Sequence, residues 1–256
     1  MAVMKPAARL GRKLRFGRRR TDPLEAWGEP TADSPADLAI VERCIPFSMT
    51  SAARLQSVVD AVRYCERRAV PGAFAECGVW RGGSILAMIM TLQDLGSSDR
   101  EIYLFDTFEG MTEPTESDIS RFARPALETW NESGGRPWSG VFGSDAFNEA
   151  DVRETLTASG YPPERLHFVR GRVEDTIPAQ APADIAFLRL DTDWYESTKH
   201  ELQHLYPRLM PGGVLIIDDY GHWEGCRRAV DEYFTHSAPP LLLNRVDYTA
   251  RMAVKA

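Results

Sequence analysis

A chain of 256 residues, 43% hydrophobic and 26% charged, has the composition of an ordinary soluble globular protein and the length for one large α/β domain or two small ones. Its longest uncharged apolar stretch, around residues 85–92, falls far short of the roughly 20 residues that cross a membrane, which excludes a membrane-spanning helix. The net charge of −7 is uneven, because residues 1–21 carry eight Lys or Arg and no acid, so the other 22 basic residues face all 37 acids, a balance of −15 that argues against general nucleic-acid binding.

The basic run (Lys5, Arg9, Arg12, Lys13, Arg15, Arg18, Arg19, Arg20) lacks the apolar core of a secretory signal and reads as a flexible tail. Leu10, Leu14 and Phe16 interleave its charges, a small apolar face that would suit only peripheral contact with anionic lipid. A linker containing Pro, Asp and Gly follows from Thr21 to Asp37, so residues 1–37 are expected to be leader and linker, and 38–256 the folded domain. Cys44, Cys65, Cys77 and Cys226 are scattered without C-x-x-C spacing, which points to free thiols in a reduced, cytoplasmic protein.

From Met49 to Arg68 the apolar residues Leu55, Val58, Val59 and Val62 recur at helical spacing and predict an amphipathic helix that ends before Pro71. Strand and helix patterns then alternate. The predicted elements are strand 73–79, helix 84–95, strand 101–105, helix 151–159, strand 166–170, strand 185–190, helix 197–209, strand 213–217 and helix 226–235. Two short strands, 241–246 and 251–254, close the chain. Such alternation predicts a Rossmann-like, doubly wound α/β sheet with right-handed crossovers. Residues 109–148 break the pattern with Pro, Gly, Ser and the aromatics Trp130, Trp138, Phe142 and Phe147, and read as a lid-like insertion over a substrate.

Chemistry gathers at the strand ends. The runs 185–190 and 213–217 lead into Asp191-Thr192-Asp193 and Asp218-Asp219, so these acids should emerge at the carboxyl edge of a parallel sheet, where such folds bind ligands. Four acids in one crevice repel, and a hard divalent cation such as Mg²⁺ is the simplest remedy. Gly78, Gly82 and Gly83 in the turn after the first strand allow close backbone approach to a ligand at a helix N-terminus, but match neither G-x-G-x-x-G nor the Walker pattern. Asp106 ends the second strand, where an acid can accept hydrogen bonds from ribose hydroxyls or simply cap the next segment. Together these residues suggest a nucleoside cofactor without a pyrophosphate.

Over residues 49–234 the sequence resembles class I S-adenosylmethionine-dependent methyltransferases, specifically the metal-dependent macrocin-type (TylF-like) sugar O-methyltransferases. The resemblance rests on Glu76-Cys77-Gly78-Val79-Trp80-Arg81-Gly82-Gly83-Ser84, Phe105-Asp106-Thr107-Phe108-Glu109-Gly110, residues 171–178, residues 188–195 and residues 206–220. It implies a seven-stranded sheet with an antiparallel hairpin at one edge. It also implies S-adenosylmethionine bound near Glu76, Gly78, Val79 and Ser84, with its ribose on Asp106 and its adenine beside Val173 and Glu174. Mg²⁺ would be held by Asp191, Asp218 and Asp219. Catechol-type relatives place a lysine shortly after the first metal aspartate, where this chain has Thr192, Asp193 and Trp194.

The implied reaction moves a methyl group to a hydroxyl of a small glycoside, an oligosaccharide or a glycosylated natural product. Proton removal then falls to Asp191, to Asp193 or to His222, in that order of preference. Asp193 has a plainer role as a helix cap, and His222 as a loop hydrogen-bonding group. Two other readings stay open: a nucleotide-sugar glycosyltransferase using Asp191-x-Asp193, and a non-catalytic cofactor-binding module. A homodimer is compatible with such a fold, although no residue demands one.

Overall fold

The computed structural model describes residues 34–135, 139–143 and 147–256. The basic run 1–21, most of the expected linker and Trp138 lie outside them.

Helix α1 (Pro35–Cys44) starts inside the stretch that composition assigned to a linker. Its start signals are local: the Ser34 hydroxyl accepts from the Asp37 N–H at 3.1 Å, and Pro35 occupies the first helical position. The predicted amphipathic helix is α2 (Ala52–Arg67), capped by Ser51. Its apolar stripe, Leu55, Val58, Val59 and Val62, is buried, and each such side chain contributes roughly 1.5–3 kcal/mol.

Beyond it come β1 (Ala73–Cys77), α3 (Gly83–Asp94), β2 (Ile102–Asp106), α4 (Ala126–Glu132), α5 (Ser139–Phe142) and α6 (Glu149–Thr157). They are followed by β3 (Leu166–Arg170), the short α7 (Val173–Thr176), β4 (Ile185–Leu190), α8 (Tyr195–His204), β5 (Leu209–Ile217), α9 (Glu224–His236), β6 (Asn244–Arg245) and β7 (Arg251–Val254).

Among the described residues the strands form one seven-stranded sheet in the order β3-β2-β1-β4-β5-β7-β6. Strands β1 to β5 are parallel; β7 runs antiparallel to β5, and β6 to β7. This is the doubly wound sheet with an antiparallel edge hairpin expected from the sequence. Pleating divides the core. Phe74, Val214 and Ile216 face α1, α2, α3 and α6, whereas Ala75, Cys77, Leu215 and Ile217 face α8 and α9. The four cysteines are buried free thiols.

Several boundaries differ from the expectation, among them β1, which ends at Cys77 rather than residue 79, and β5, which starts at Leu209 rather than residue 213. The helix predicted over 197–209 stops at His204, because Pro207 cannot donate to a helical ladder; a 3₁₀ turn, Tyr206–Arg208, leads directly into β5. The strand predicted over 241–246 shrinks to Asn244–Arg245, since Leu241 and Leu243 pack their side chains on the second core without joining the ladder. The insertion 109–148 contains α4 and α5. Its first half is tied down by Asp118, which is fully buried and accepts from the Thr115 N–H (2.7 Å) and the Tyr195 N–H (2.8 Å) at the start of α8.

Gly78 ends β1 at φ +85°, and a Cβ built there would lie 2.0 Å from the Asp191 carbonyl oxygen. The turn after β1 therefore packs directly against the end of β4. Gly96 shares the left-handed backbone (φ +72°), but a Cβ there meets nothing within 4 Å. Gly96→Ala is expected to lower the thermal midpoint by about 2–4 °C, the cost of backbone strain alone. Gly78→Ala should lower it by at least twice as much, because β4 must also shift. Equal losses in thermal melts would show that the end of β4 yields without cost.

Candidate active site

A cavity of about 490 Å³ opens at the carboxyl edge of the sheet, with walls from the loops after β1, β2, β3, β4 and β5. It spans the switch point between β1 and β4, where the order of a doubly wound sheet reverses and ligands bind. Its volume is in the range of small-molecule sites.

On one side lies the glycine turn. The Asp106 carboxylate accepts from the Val79 N–H (2.7 Å) and Trp80 N–H (3.0 Å) with one oxygen, and from the Phe108 N–H (2.7 Å) with the other. A carboxylate has about four acceptor directions, so this group spends most of its capacity fixing the backbone around the cavity. Its neighbour Trp80 holds φ +49°, uncommon for a bulky residue, and donates its indole N–H to the Val141 carbonyl at 2.8 Å. That bond joins the glycine turn to the insertion, whose Met111, Thr112, Phe142 and Phe147 line the same cavity. Trp130 instead packs on Gly135 within the insertion.

Gly78, Val79, Ser84, Asp106, Val173 and Glu174, expected on the cofactor, all line the cavity. Glu76 is the exception. It is 0% exposed beneath the cavity, and its Oε1 accepts from Arg189 Nη1 at 2.5 Å. The Ser84 hydroxyl stands near it, without a well-formed hydrogen bond to Oε2. Burial raises the Glu76 pKa to about 7 despite the guanidinium.

On the other side stand the acids. One carboxylate oxygen from each of Asp191, Asp218 and Asp219 lies within 4.8 Å of the other two, and Asp219 Oδ2 is buried without a hydrogen-bond partner. An all-oxygen, anionic set with one orphaned acceptor fits a hard divalent cation. Asp193 has a different partner. At φ +68° its Oδ1 accepts from the Trp223 indole N–H at 2.7 Å. The Asp-Thr-Asp turn is steadied by Thr192, which donates to Glu201 at 2.9 Å on α8.

Sequence reasoning missed the two arginines among these acids. Arg189 is 1% exposed, and its Nη1 donates to Glu76 and to Asp191 Oδ2 (2.7 Å) while Nη2 donates to Asp218 Oδ1 (2.6 Å). Its signal was present, as the lone charge in an otherwise apolar strand, directly opposite Glu76 in the β1–β4 register. Arg54, from the first turn of α2, donates to Asp218 Oδ2 and pairs with Asp247. No local pattern announces it. Part of the repulsion that a divalent cation was invoked to relieve is thus already offset by protein cations.

The offset is incomplete. Burial raises Asp191 to about 6, against the pull of Arg189, and raises Asp193 to about 7 with the Asp191 charge adding to it. Asp219 is pushed well above the ordinary carboxyl range, first by burial and then by Asp193. His222 also lines the cavity, and the Tyr248 hydroxyl lies 3.1 Å from its Nδ1. Burial, then the charges of Arg121 and Arg54, lower its pKa and favour the neutral ring.

Carboxyl groups whose pKa is higher folded than unfolded hold protons in the fold, so stability declines as pH rises from about 4 through their folded values. For Asp193 that window closes near 7. Thermal melts in EDTA are expected to show the wild-type midpoint falling between pH 5 and 8 relative to Asp193→Asn, by about 2 °C or more. Mg²⁺ should restore more at pH 8 than at pH 5. Parallel profiles for the two proteins would mean that Asp193 is not strained by its neighbours.

Residues 37–254 match the macrocin-O-methyltransferase (TylF) family. An 8-demethyl-8-(2,3-dimethoxy-alpha-L-rhamnosyl)-tetracenomycin-C 4'-O-methyltransferase from Streptomyces olivaceus is 34% identical, over 84% of this chain and 78% of its own. A mycinamicin III 3''-O-methyltransferase from Micromonospora griseorubida is also 34% identical, over 74% and 70% of the two chains. The solved structure of the O-methyltransferase NovP superposes with a TM-score of 0.71 at 28% identity, covering 82% of each chain. These likenesses leave no place for the glycosyltransferase reading, which also ignored Asp218 and Asp219. With the fold, the cavity and these matches in agreement, the chain belongs to the macrocin-O-methyltransferase (TylF) family and is an S-adenosylmethionine-dependent O-methyltransferase.

Proposed function

We propose that this enzyme methylates a sugar hydroxyl of a glycosylated small molecule, with a divalent cation, Mg²⁺ by preference, held by Asp191, Asp218 and Asp219. The observation that carries the reading is the convergence of these three carboxylates, one with an orphaned oxygen, on the cavity that the glycine turn also lines. The acceptor class is supported by the relatives, among them a rhamnosyl-tetracenomycin methyltransferase and a mycinamicin methyltransferase.

The roles divide along the cavity. Gly78, Val79 and Ser84 would face the methionine end of S-adenosylmethionine, with Asp106 at its ribose and Val173 and Glu174 beside its adenine. S-adenosylmethionine, when bound, would supply an electrophilic methyl group to the acceptor oxygen and depart as S-adenosylhomocysteine, the acceptor's proton passing to a carboxylate of the crevice. A divalent cation, when bound, lowers the pKa of a sugar hydroxyl and orients it. Asp191 is the preferred proton acceptor: it lines the cavity, and its Oδ2 is fixed by Arg189. Asp193 and His222 line the same space as second and third candidates. Met111, Thr112, Phe142 and Phe147, from the insertion, would shield the reaction from water.

Calorimetric titration with S-adenosylmethionine and S-adenosylhomocysteine, in Mg²⁺ and in EDTA, is expected to give binding that EDTA leaves unchanged. With a rhamnosyl acceptor, EDTA should abolish turnover and Mg²⁺ restore it. Asp191→Asn and Asp218→Asn should each lower kcat by about two orders of magnitude or more with donor affinity intact. Wild-type kcat in either variant would remove the metal from the mechanism.

A further inference from the structure

Both oxygens of Asp218 already face a guanidinium. Arg189 Nη2 donates to Oδ1 at 2.6 Å and Arg54 Nη1 donates to Oδ2, and its side chain is only 2% exposed. Asp191 and Asp219 are less committed: Arg189 holds Oδ2 of Asp191, and Asp219 Oδ2 has no partner. Each Asp218 oxygen keeps a lone pair for a cation, but an ion bound there meets two guanidinium charges at close range, so binding is favoured when one guanidinium withdraws. Arg189 is pinned by three carboxylates on three adjacent strands and is almost wholly buried. Arg54 is not so constrained. Its side chain is 16% exposed, and its Nε already lies 3.0 Å from Asp247 Oδ2, as an ion pair without hydrogen-bond alignment.

We propose that Arg54 is a built-in substitute for the divalent cation: it neutralises Asp218 in the metal-free enzyme and transfers to Asp247 when the ion binds. The inference rests on the metal reading given above. Two further features support it. A cation in the first turn of a helix opposes the helix dipole, so the place of Arg54 on α2 is not favoured by helix electrostatics. The receiving carboxylate is also prepared. Asp247 Oδ1 accepts from the Thr249 and Ala250 N–H groups at 2.9 Å each, and Oδ2 accepts from the Ser51 hydroxyl at 2.9 Å, three residues before Arg54. An arginine exchanging between two anchored carboxylates offsets the mutual repulsion of the acids when no ion is bound and couples metal loading to the start of α2, which lines the cavity through Arg54.

The test is Mn²⁺ binding to the full-length enzyme without donor or acceptor, followed by electron paramagnetic resonance of the free ion. Thermal melts establish that each variant is folded. Arg54→Gln removes the competitor and is expected to bind Mn²⁺ about tenfold more tightly, a typical size for coupling between two ligands of one site. Arg54→Lys, which keeps the charge, should return affinity toward wild type. Asp247→Asn removes the receiving carboxylate and should weaken Mn²⁺ binding several-fold, an effect that disappears when Arg54 is also Gln. Unchanged or weaker binding by folded Arg54→Gln overturns the proposal while leaving the metal site standing. No Mn²⁺ binding by wild type or Arg54→Gln overturns both. Should Arg54→Gln not fold, unchanged affinity in Asp247→Asn overturns the proposal and weaker binding supports it.

Discussion

The guanidinium of Arg189 reaches from the middle strand of three to carboxylates on all of them: Glu76 on β1, Asp191 at the end of its own β4 and Asp218 at the end of β5. A cation and its acids out of water in this way are tolerable only together. Removing one partner of such a buried set typically costs about 3–5 kcal/mol, because the remaining charges are left unpaired. The bridge therefore fixes the relative heights of the ends of three strands. It also leaves its three acids under-neutralised, an excess of negative charge that Arg54, donating to Asp218, partly offsets.

The remaining site geometry follows from that clamp. The turn after β1 leaves a strand locked to β4, and Gly78 lets it pass the Asp191 carbonyl where a side chain would collide. Asp106, at the end of β2, then holds the same turn by two of its N–H groups. The glycine-turn wall and the acid wall are thus packed directly on each other, an arrangement suited to methyl transfer, in which reacting atoms must be held in near-attack geometry. The insertion is attached to this unit at particular points. Its Asp118 reaches the start of α8, and its Thr112 carbonyl accepts from the Trp194 indole N–H at 3.0 Å.

The sequence by itself determined the alternation of strands and helices, the parallel sheet and the emergence of acids at its carboxyl edge. These follow from period and from strand direction, both local properties: β3, β4 and β7 lie where the apolar runs put them, and Asp191, Asp218 and Asp219 converge as their strand ends predict. Local pattern was weaker at α1, whose cap was hidden in linker-like composition, and at β6, where apolar residues pack without pairing. Tertiary structure alone decided which charges meet. Arg189 and Glu76 lie 113 residues apart, and Arg54 and Asp218 164 residues apart. Neither pair could be read without the strand register and the docking of α2. Tertiary structure also turned Glu76 from a cavity residue into a buried counter-ion and showed that Asp106 spends most of its capacity on backbone N–H groups. Periodicity encodes which face of an element is apolar, but the partner of a buried charge is set by which elements fold against each other.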